Sequence, residues 1–526
     1  MIAYKFNSLK VIFMVLILFL FSQYQHLFSC TVLIAGKMTT INGSIIFAKT
    51  EDDSPRSMDY LWYIPRKYHT EGTVIKLTNG AEISQVRMTY AYFWDQCPRT
   101  SFSNMVINEW GVALGSNGCA SKEDSVEAVE KRGGLKNGGI GFYLRFILAQ
   151  RAKTARQAVE IAAEILDEYG YRASGRNLNI VGPNEAWQLQ MVRGKQYVAR
   201  RVKEDEVVFI ANTFSIREVD PEDEEDFICS PQLINYAEKR GWYDPEREGK
   251  FDFAKAYAPE RIHKASSNTR RQWSMAKQVN KEFPLTLEQA ENGEMPVSTK
   301  PDRKLSVFDI MEIFRSHYEG TELDKSDGYE KSPHKTGERT ICCFGTHRTT
   351  LVEQRSWFPP EVGTVIWRAL GLPCSSGFVP WYLGTRTIPP AYQNAPIEFR
   401  GESMNAAEYN FNLPEDINQL DFESASCVFG VLSGLVDSDY RILHKDIKKR
   451  WRQFEEKAMK MRNELDQKLE ELFKKDRDTA QMFMDSFSSH MALESLNIAK
   501  IMIKKIQWNL WGTGLGKRVV FQKSGE

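Results

Sequence analysis

The stretch Cys30–Asp52, CTVLIAGKMTTINGSIIFAKTED, constrains this chain more than any other, because it puts a cysteine directly behind an apparent export signal and opens a β-hairpin. Lys5 and Lys10 precede an unbroken apolar run from Val11 to Phe21. Its eleven residues fall short of the roughly 20 that a spanning helix needs, so residues 1–29 read as a signal segment and the mature chain as exported, periplasmic or extracellular, with no stable membrane anchor. Ser29 is a suitable small residue at the cleavage point, which would leave Cys30 as the new N-terminus. The competing reading is a lipoprotein signal, in which Cys30 would be lipidated, although it stands nine positions beyond Phe21.

Thr31–Ala35 and Ser44–Ala48 are apolar, β-rich runs, and Asn42-Gly43 between them is a common turn pair. Antiparallel pairing sets Cys30 roughly opposite Lys49 and Thr50, with Asp52 close by. A thiol, a free α-amine, a cation and a carboxylate then meet. The amine, with a reference pKa of about 7.7–8.0, suits a base that takes the thiol proton near neutral pH. Lys49 would favour the thiolate and Asp52 would hold the ammonium. The plainer reading is a strand-edge cysteine among surface charges.

The Cys-Thr start, the Gly43-Ser44 before an apolar strand, and Ala48-Lys49-Thr50-Glu51-Asp52 at its end resemble the dipeptidase A family of cysteine N-terminal nucleophile hydrolases, relatives of the choloylglycine hydrolases and secernins. Where that family usually reads Ala-Arg-Asn-Glu-Asp, Lys49 takes the arginine position, keeping the charge and losing the bidentate fork. The segments at 241–258, 314–324 and 346–384 also resemble blocks of the family, so the likeness spans most of the mature chain. The resemblance implies oxyanion-hole donors at Asn117, closing the run from Asn108, and at Asn212. It further implies a substrate-binding arginine near the nucleophile, for which Ser267-Asn268-Thr269-Arg270-Arg271 is the best match, leaving Arg270 and Arg271 undecided.

Lysine plus arginine and aspartate plus glutamate are both 69, so nothing points to nucleic acid. Past residue 29 the chain has 497 residues (526 − 29) and no low-complexity linker, which fits one elaborated catalytic domain over 30–395 and a mainly helical region over 396–526. Helices are expected over Gly139–Ala152 and Thr154–Tyr169, the second opened by a Thr154/Gln157 capping box and closed by Gly170. Strands are expected over 178–192, about Gly182-Pro183-Asn184, over 196–202 and over 207–212. Tyr440, Leu443, Ile447, Trp451, Phe454, Ala458, Met461, Leu465, Leu469 and Leu472 recur every three or four residues and predict a long amphipathic helix, followed by a second over Ala480–Leu510. Their apolar faces suit packing on the catalytic domain or on another copy of the chain, a homo-oligomer.

Cys342-Cys343 with His347 lacks a second ligand pair at useful spacing, so these cysteines read as core residues and no metal is implied. The acidic run Asp220–Asp226 reads as a solvated loop, with a calcium site as the lesser alternative. Gly512–Lys517 lacks P-loop spacing, and neither a Gly-x-Ser-x-Gly elbow nor a His-Glu-x-x-His helix occurs; no cofactor is called for. The expectation is an α+β fold, the αββα sandwich of antiparallel sheets of N-terminal nucleophile hydrolases with a helical C-terminal extension. Its activity would be cysteine-type hydrolysis of short peptides. The rivals are an N-acyl amide hydrolase of bile-salt or penicillin-acylase type and a catalytically silent, peptide-binding lipoprotein.

Overall fold

The computed structural model describes residues 30–54, 57–77, 80–98, 100, 104–393 and 421–512, with side chains to 508. The segment 1–29, the 395/396 boundary and most of the Gly512–Lys517 run lie outside them. Two antiparallel sheets carry the fold. The first contains β1 (Val32–Ala35), β2 (Ile45–Asp52), β10 (Val207–Ile210), β12 (Ser298–Thr299), β13 (Thr346–Gln354), β14 (Thr364–Leu370) and β15 (Val379–Tyr382), ordered β12-β10-β1-β2-β13-β14-β15. The second contains β3 (Tyr60–Ile64), β4 (Tyr92–Gln96), β5 (Met105–Asn108), β6 (Ala113–Cys119), β7 (Tyr171–Val181), β8 (Ala186–Gly194), β9 (Tyr197–Arg201) and β11 (Phe227–Cys229), ordered β11-β9-β8-β7-β6-β5-β4-β3.

Ile34, Phe47, Phe93, Ile107, Ala113 and Val181 share one core, so the sheets stack face to face. Helices α1 (Leu144–Arg151) and α2 (Ala155–Tyr169) lie on the outer face of the second sheet. Helices α3 (Ser266–Val279) and α4 (Val307–Phe314) cover one end of the first sheet, and α5 (Ala425–Ser438), α6 (Tyr440–Lys475) and α7 (Arg477–Gly512) cover the other. The architecture is therefore α+β, with the expected αββα order and a helical C-terminal region.

Local chemistry explains most boundaries. Gly43 turns the first hairpin at φ 79°, and Asn42 Oδ1 accepts from the Ser44 N–H. The hairpin pairs Val32 with Lys49, which sets Cys30 opposite Glu51, one position beyond the expected Thr50, because a short 3₁₀ turn at Lys37–Thr39 lengthens the connection. Helix α1 starts at Leu144, later than expected, since Gly139 sits at φ 77°. Thr154 caps α2 as expected, but Gln157 returns its bond to the Lys153 N–H, so the box is shifted by one residue. Asp226 of the acidic run pairs with Arg201 and Lys203.

The buried face of α6 departs from the simple apolar stripe. Met461, Leu465 and Leu472 are only partly buried, while Glu455, Arg462 and Asp466 are enclosed. Each of the three meets an opposite charge or a donor on the first sheet or beside it: Glu455 with Arg315, Arg462 with Glu353, and Asp466 with Arg355 and the Tyr382 hydroxyl. Removing one partner of a buried pair strands the other charge, at a cost of about 3–5 kcal/mol. Glu455→Leu is therefore expected to lower unfolding stability by about that amount in urea titrations, and Arg315→Leu added to it to restore most of the loss. A loss below about 1 kcal/mol would show that this pair does not hold α6 in place.

Candidate active site

The alternation of β2 builds the site. Adding a Cβ at Gly115 would bring it 2.9 Å from Phe47 Cζ and 3.1 Å from Lys49 Cδ, so Phe47 and Lys49, and with them Glu51, face the second sheet. Thr50 and Asp52 face the other way, towards α3 and the loop before β13. Cys30 shares the inward face: its Sγ donates to Glu51 Oε2 at 3.3 Å. Glu51 also takes the Lys49 ammonium and lies 3.4 Å from the Arg348 guanidinium.

Cys30, Lys49, Glu51, Asp52, Asn117 and Arg271 are all buried. Burial pushes the Cys30 thiol up to about 12; Lys49 opposes this, while Glu51 and Asp52 add to it. Burial would raise Glu51 too, but Lys49 and Arg348 outweigh it and hold that carboxyl below its ordinary value. The sulfur therefore rests as a thiol against a carboxylate.

The Cys30 carbonyl is gripped from both sides. Asn117 Nδ2, from β6, and Arg271 Nη1, from α3, each donate to it at 2.9 Å. Arg271 also donates to Thr31 Oγ1, to Asn212 Oδ1 and to Asn268 Oδ1, each at 3.0 Å. Burial, with the Arg339 charge nearby, lowers Arg271 to about 10. Half-buried Asn212 donates from Nδ2 to Gly118 O at 2.9 Å, and its backbone N–H donates to Asn268 Oδ1. Arg270 points elsewhere, pairing with Glu291 and Glu338. Helical phase separates the two arginines, because Asn268 and Arg271 are three apart and share one face.

Asp52 is bound on the outer face by Arg339 at 2.5 Å, by Thr346 Oγ1 at 2.6 Å and by Thr50 Oγ1 at 3.0 Å. Cys30 Sγ donates to the Glu51 carboxylate, and the two-residue alternation from Lys49 could have flagged Glu51. Arg348 was missed altogether: it pairs with Asp59 and Asp95 as well as Glu51, and no local motif links these four. His347 joins neither Cys342 nor Cys343; its Nδ1 meets Asp59 at 2.6 Å and its Nε2 lies 4.0 Å from Cys97 Sγ, a buried Cys-His-Asp line separate from Cys30.

A cavity of about 370 Å³ is lined by Ser116, Arg145, Tyr171, Arg172, Arg176 and Arg193, among others. A thiolate at Cys30 would act electrostatically on both Arg145 and Arg176. Arg176 Nε donates to the Tyr171 hydroxyl at 2.9 Å, while its Nη1 and the Ser116 hydroxyl are buried without a hydrogen-bond partner among the described residues. Such a concave, cationic lining suits a small anionic ligand group.

Residues 29–452 match the family described as "Peptidase family C69". Among curated relatives, a "Probable dipeptidase" of Salmonella dublin is 27% identical over 70% of this chain and 84% of its own length. A "Probable dipeptidase B" of Streptococcus pyogenes serotype M1 is 28% identical over 74% and 78%. Among solved structures, a mutant conjugated bile acid hydrolase from Clostridium perfringens gives a distant likeness, 9% identical over 65% of this chain and 89% of that one, with a TM-score of 0.27. With most of its length matched to the family and its relatives named as dipeptidases, the chain belongs to peptidase family C69 and is a hydrolase.

Proposed function

We propose that the chain is exported and acts as a dipeptidase whose nucleophile is Cys30, exposed as an N-terminal residue when residues 1–29 are removed. One observation carries this reading: the residue that would become the N-terminus has its sulfur on Glu51 and its carbonyl held by Asn117 and Arg271. Partners that fix the first residue of a chain at both its carbonyl and its side chain preorganise a reacting group.

In the mature chain the α-amine takes the thiol proton and the sulfur attacks the scissile carbonyl carbon. The Lys49 charge favours the thiolate, while Glu51 orients the sulfur and Arg271 the backbone. The tetrahedral oxyanion accepts from Asn117 and Asn212; each amide nitrogen carries two N–H bonds, and Asn212 commits one to Gly118. Collapse breaks the C–N bond, and the ammonium returns the proton to the leaving amine. Water then cleaves the thioester, releasing the acid and restoring the thiol. The dipeptidase names of the relatives support short peptides as substrates, and the arginine-lined cavity supplies a counter-charge for a peptide's free carboxylate.

Cys30→Ala is expected to abolish hydrolysis in a fold-intact protein, whereas Cys97→Ala keeps it; the reverse pattern would move the chemistry to the Cys97-His347-Asp59 line. The kcat/KM profile should fall as pH drops below about 8, because the amine must be neutral to accept a proton. Chains retaining Ser29 should be inactive.

Asn117→Ala and Asn212→Ala should each lower kcat about a hundred- to a thousandfold with little change in KM. Near-normal kcat in both would remove these residues from the oxyanion hole. Arg176→Ala should raise KM for dipeptides by at least tenfold and leave C-terminally amidated dipeptides almost unaffected, an energy difference of about 1.4 kcal/mol or more. Equal losses on both substrates would place the carboxylate elsewhere.

A further inference from the structure

Away from the nucleophile, four side chains from distant parts of the chain converge on one point: His317 after α4, His334 in the 3₁₀ turn Pro333–Lys335, Cys342 before β13, and Cys374 between β14 and β15. Their donor atoms all lie within 4.8 Å of one another. His334 Nε2 is 3.6 Å from Cys342 Sγ, 3.6 Å from Cys374 Sγ and 3.0 Å from His317 Nε2. A tetrahedral zinc with ordinary bond lengths sets S and N ligands about 3.5 Å apart and two N ligands about 3.3 Å apart. The three edges that meet at His334 are within about 0.3 Å of those of that tetrahedron.

The outer contacts are those of ligating histidines. His317 Nδ1 meets Glu319 Oε1 and His334 Nδ1 meets Asp437 Oδ1, both at 2.8 Å. Carboxylates on the two Nδ1 atoms draw the ring proton there and leave two Nε2 lone pairs facing each other at 3.0 Å, a repulsive arrangement unless a cation lies between. All four side chains are buried. Four protein ligands with no open position mark a structural centre rather than a hydrolytic one.

We propose that His317, His334, Cys342 and Cys374 bind one zinc ion. The site pins the long loop between α4 and β13 to the first sheet and, through Asp437, to the end of α5. That loop also carries Arg339, which binds Asp52, and Glu338, which binds Arg270, so the metal steadies the outer side of the end of β2, the strand paired with the one that follows Cys30. A cavity of about 460 Å³ bordered by Cys374, Glu319 and Tyr440 gives the ion a route in.

The test is metal analysis and intact mass of the full-length and mature chains, purified with reductant and again after addition of zinc chloride and dialysis. One zinc per chain is expected, retained in Cys427→Ser and lost in Cys342→Ser and Cys374→Ser. In case those two variants fail to fold, cobalt substitution of the unaltered protein gives a second readout, with intense visible bands and thiolate charge transfer expected for a tetrahedral S₂N₂ site. Unaltered protein that takes up no zinc, a Cys342–Cys374 disulfide in the native chain, zinc retained by both variants, or cobalt protein without those bands would each overturn the proposal.

Discussion

The fold depends on a balance of buried charge between the two sheets. Lys49 and Glu51 from β2, Arg348 from β13, Arg368 from β14, Asp59 before β3 and Asp95 from β4 meet where an apolar core would otherwise run. Removing such groups from water is affordable only when each finds an opposite charge with good geometry. Burial would drive the Asp59 and Glu51 carboxyls up, but Arg348, with His347 at the first and Lys49 at the second, holds both below their ordinary values. The same network fixes register. A one-residue slip of β2 would turn Lys49 and Glu51 outward, take both away from Arg348 and bring Thr50 and Asp52 to the inner face in their place.

Register matters because the nucleophile candidate belongs to that network's edge. Cys30 lies opposite Glu51 only while β1 pairs Val32 with Lys49 and β13 pairs Arg348 with Glu51. Gly115 permits the approach of β6 that brings Asn117 to the Cys30 carbonyl. The C-terminal helices extend the principle: Glu455, Arg462 and Asp466 fix how α6 sits on the sheet, since each has a partner in a single place.

What the sequence made legible was local. The Asn42-Gly43 turn, the Thr154 cap, the Gly170 stop and the long α6 helix all depend on residues within a few positions of each other, and each appears where expected, although charged Arg462 and Asp466 take part of the buried face of α6. Cys30, Asn117, Asn212 and Arg271 gather in one place, though the choice between Arg270 and Arg271 needed the phase of α3. Glu51 was overlooked because a one-residue change in hairpin register exchanges it with its neighbours. The Arg348 network and the His317/His334/Cys342/Cys374 cluster were invisible for a different reason. Their members are separated by 8 to some hundreds of positions, and no single spacing rule spans that range.

On the proposed mechanism, the electrostatics also explain how activity is tied to processing. While a peptide bond precedes Cys30, its nitrogen is no base, and the thiol, pushed up to about 12 chiefly by burial and faced by Glu51, stays protonated at neutral pH. Lys49 alone does not reverse this, because its charge is shared with Glu51. Cleavage adds an amine at the nucleophile, and its proton-accepting lone pair is what the site lacks. A cation formed there is balanced by Glu51 and Asp52, two carboxylates that burden the uncleaved thiol and stabilise the ammonium once it exists. Under the proposed mechanism, the arrangement that would silence the precursor is thus the one that would serve the mature chain.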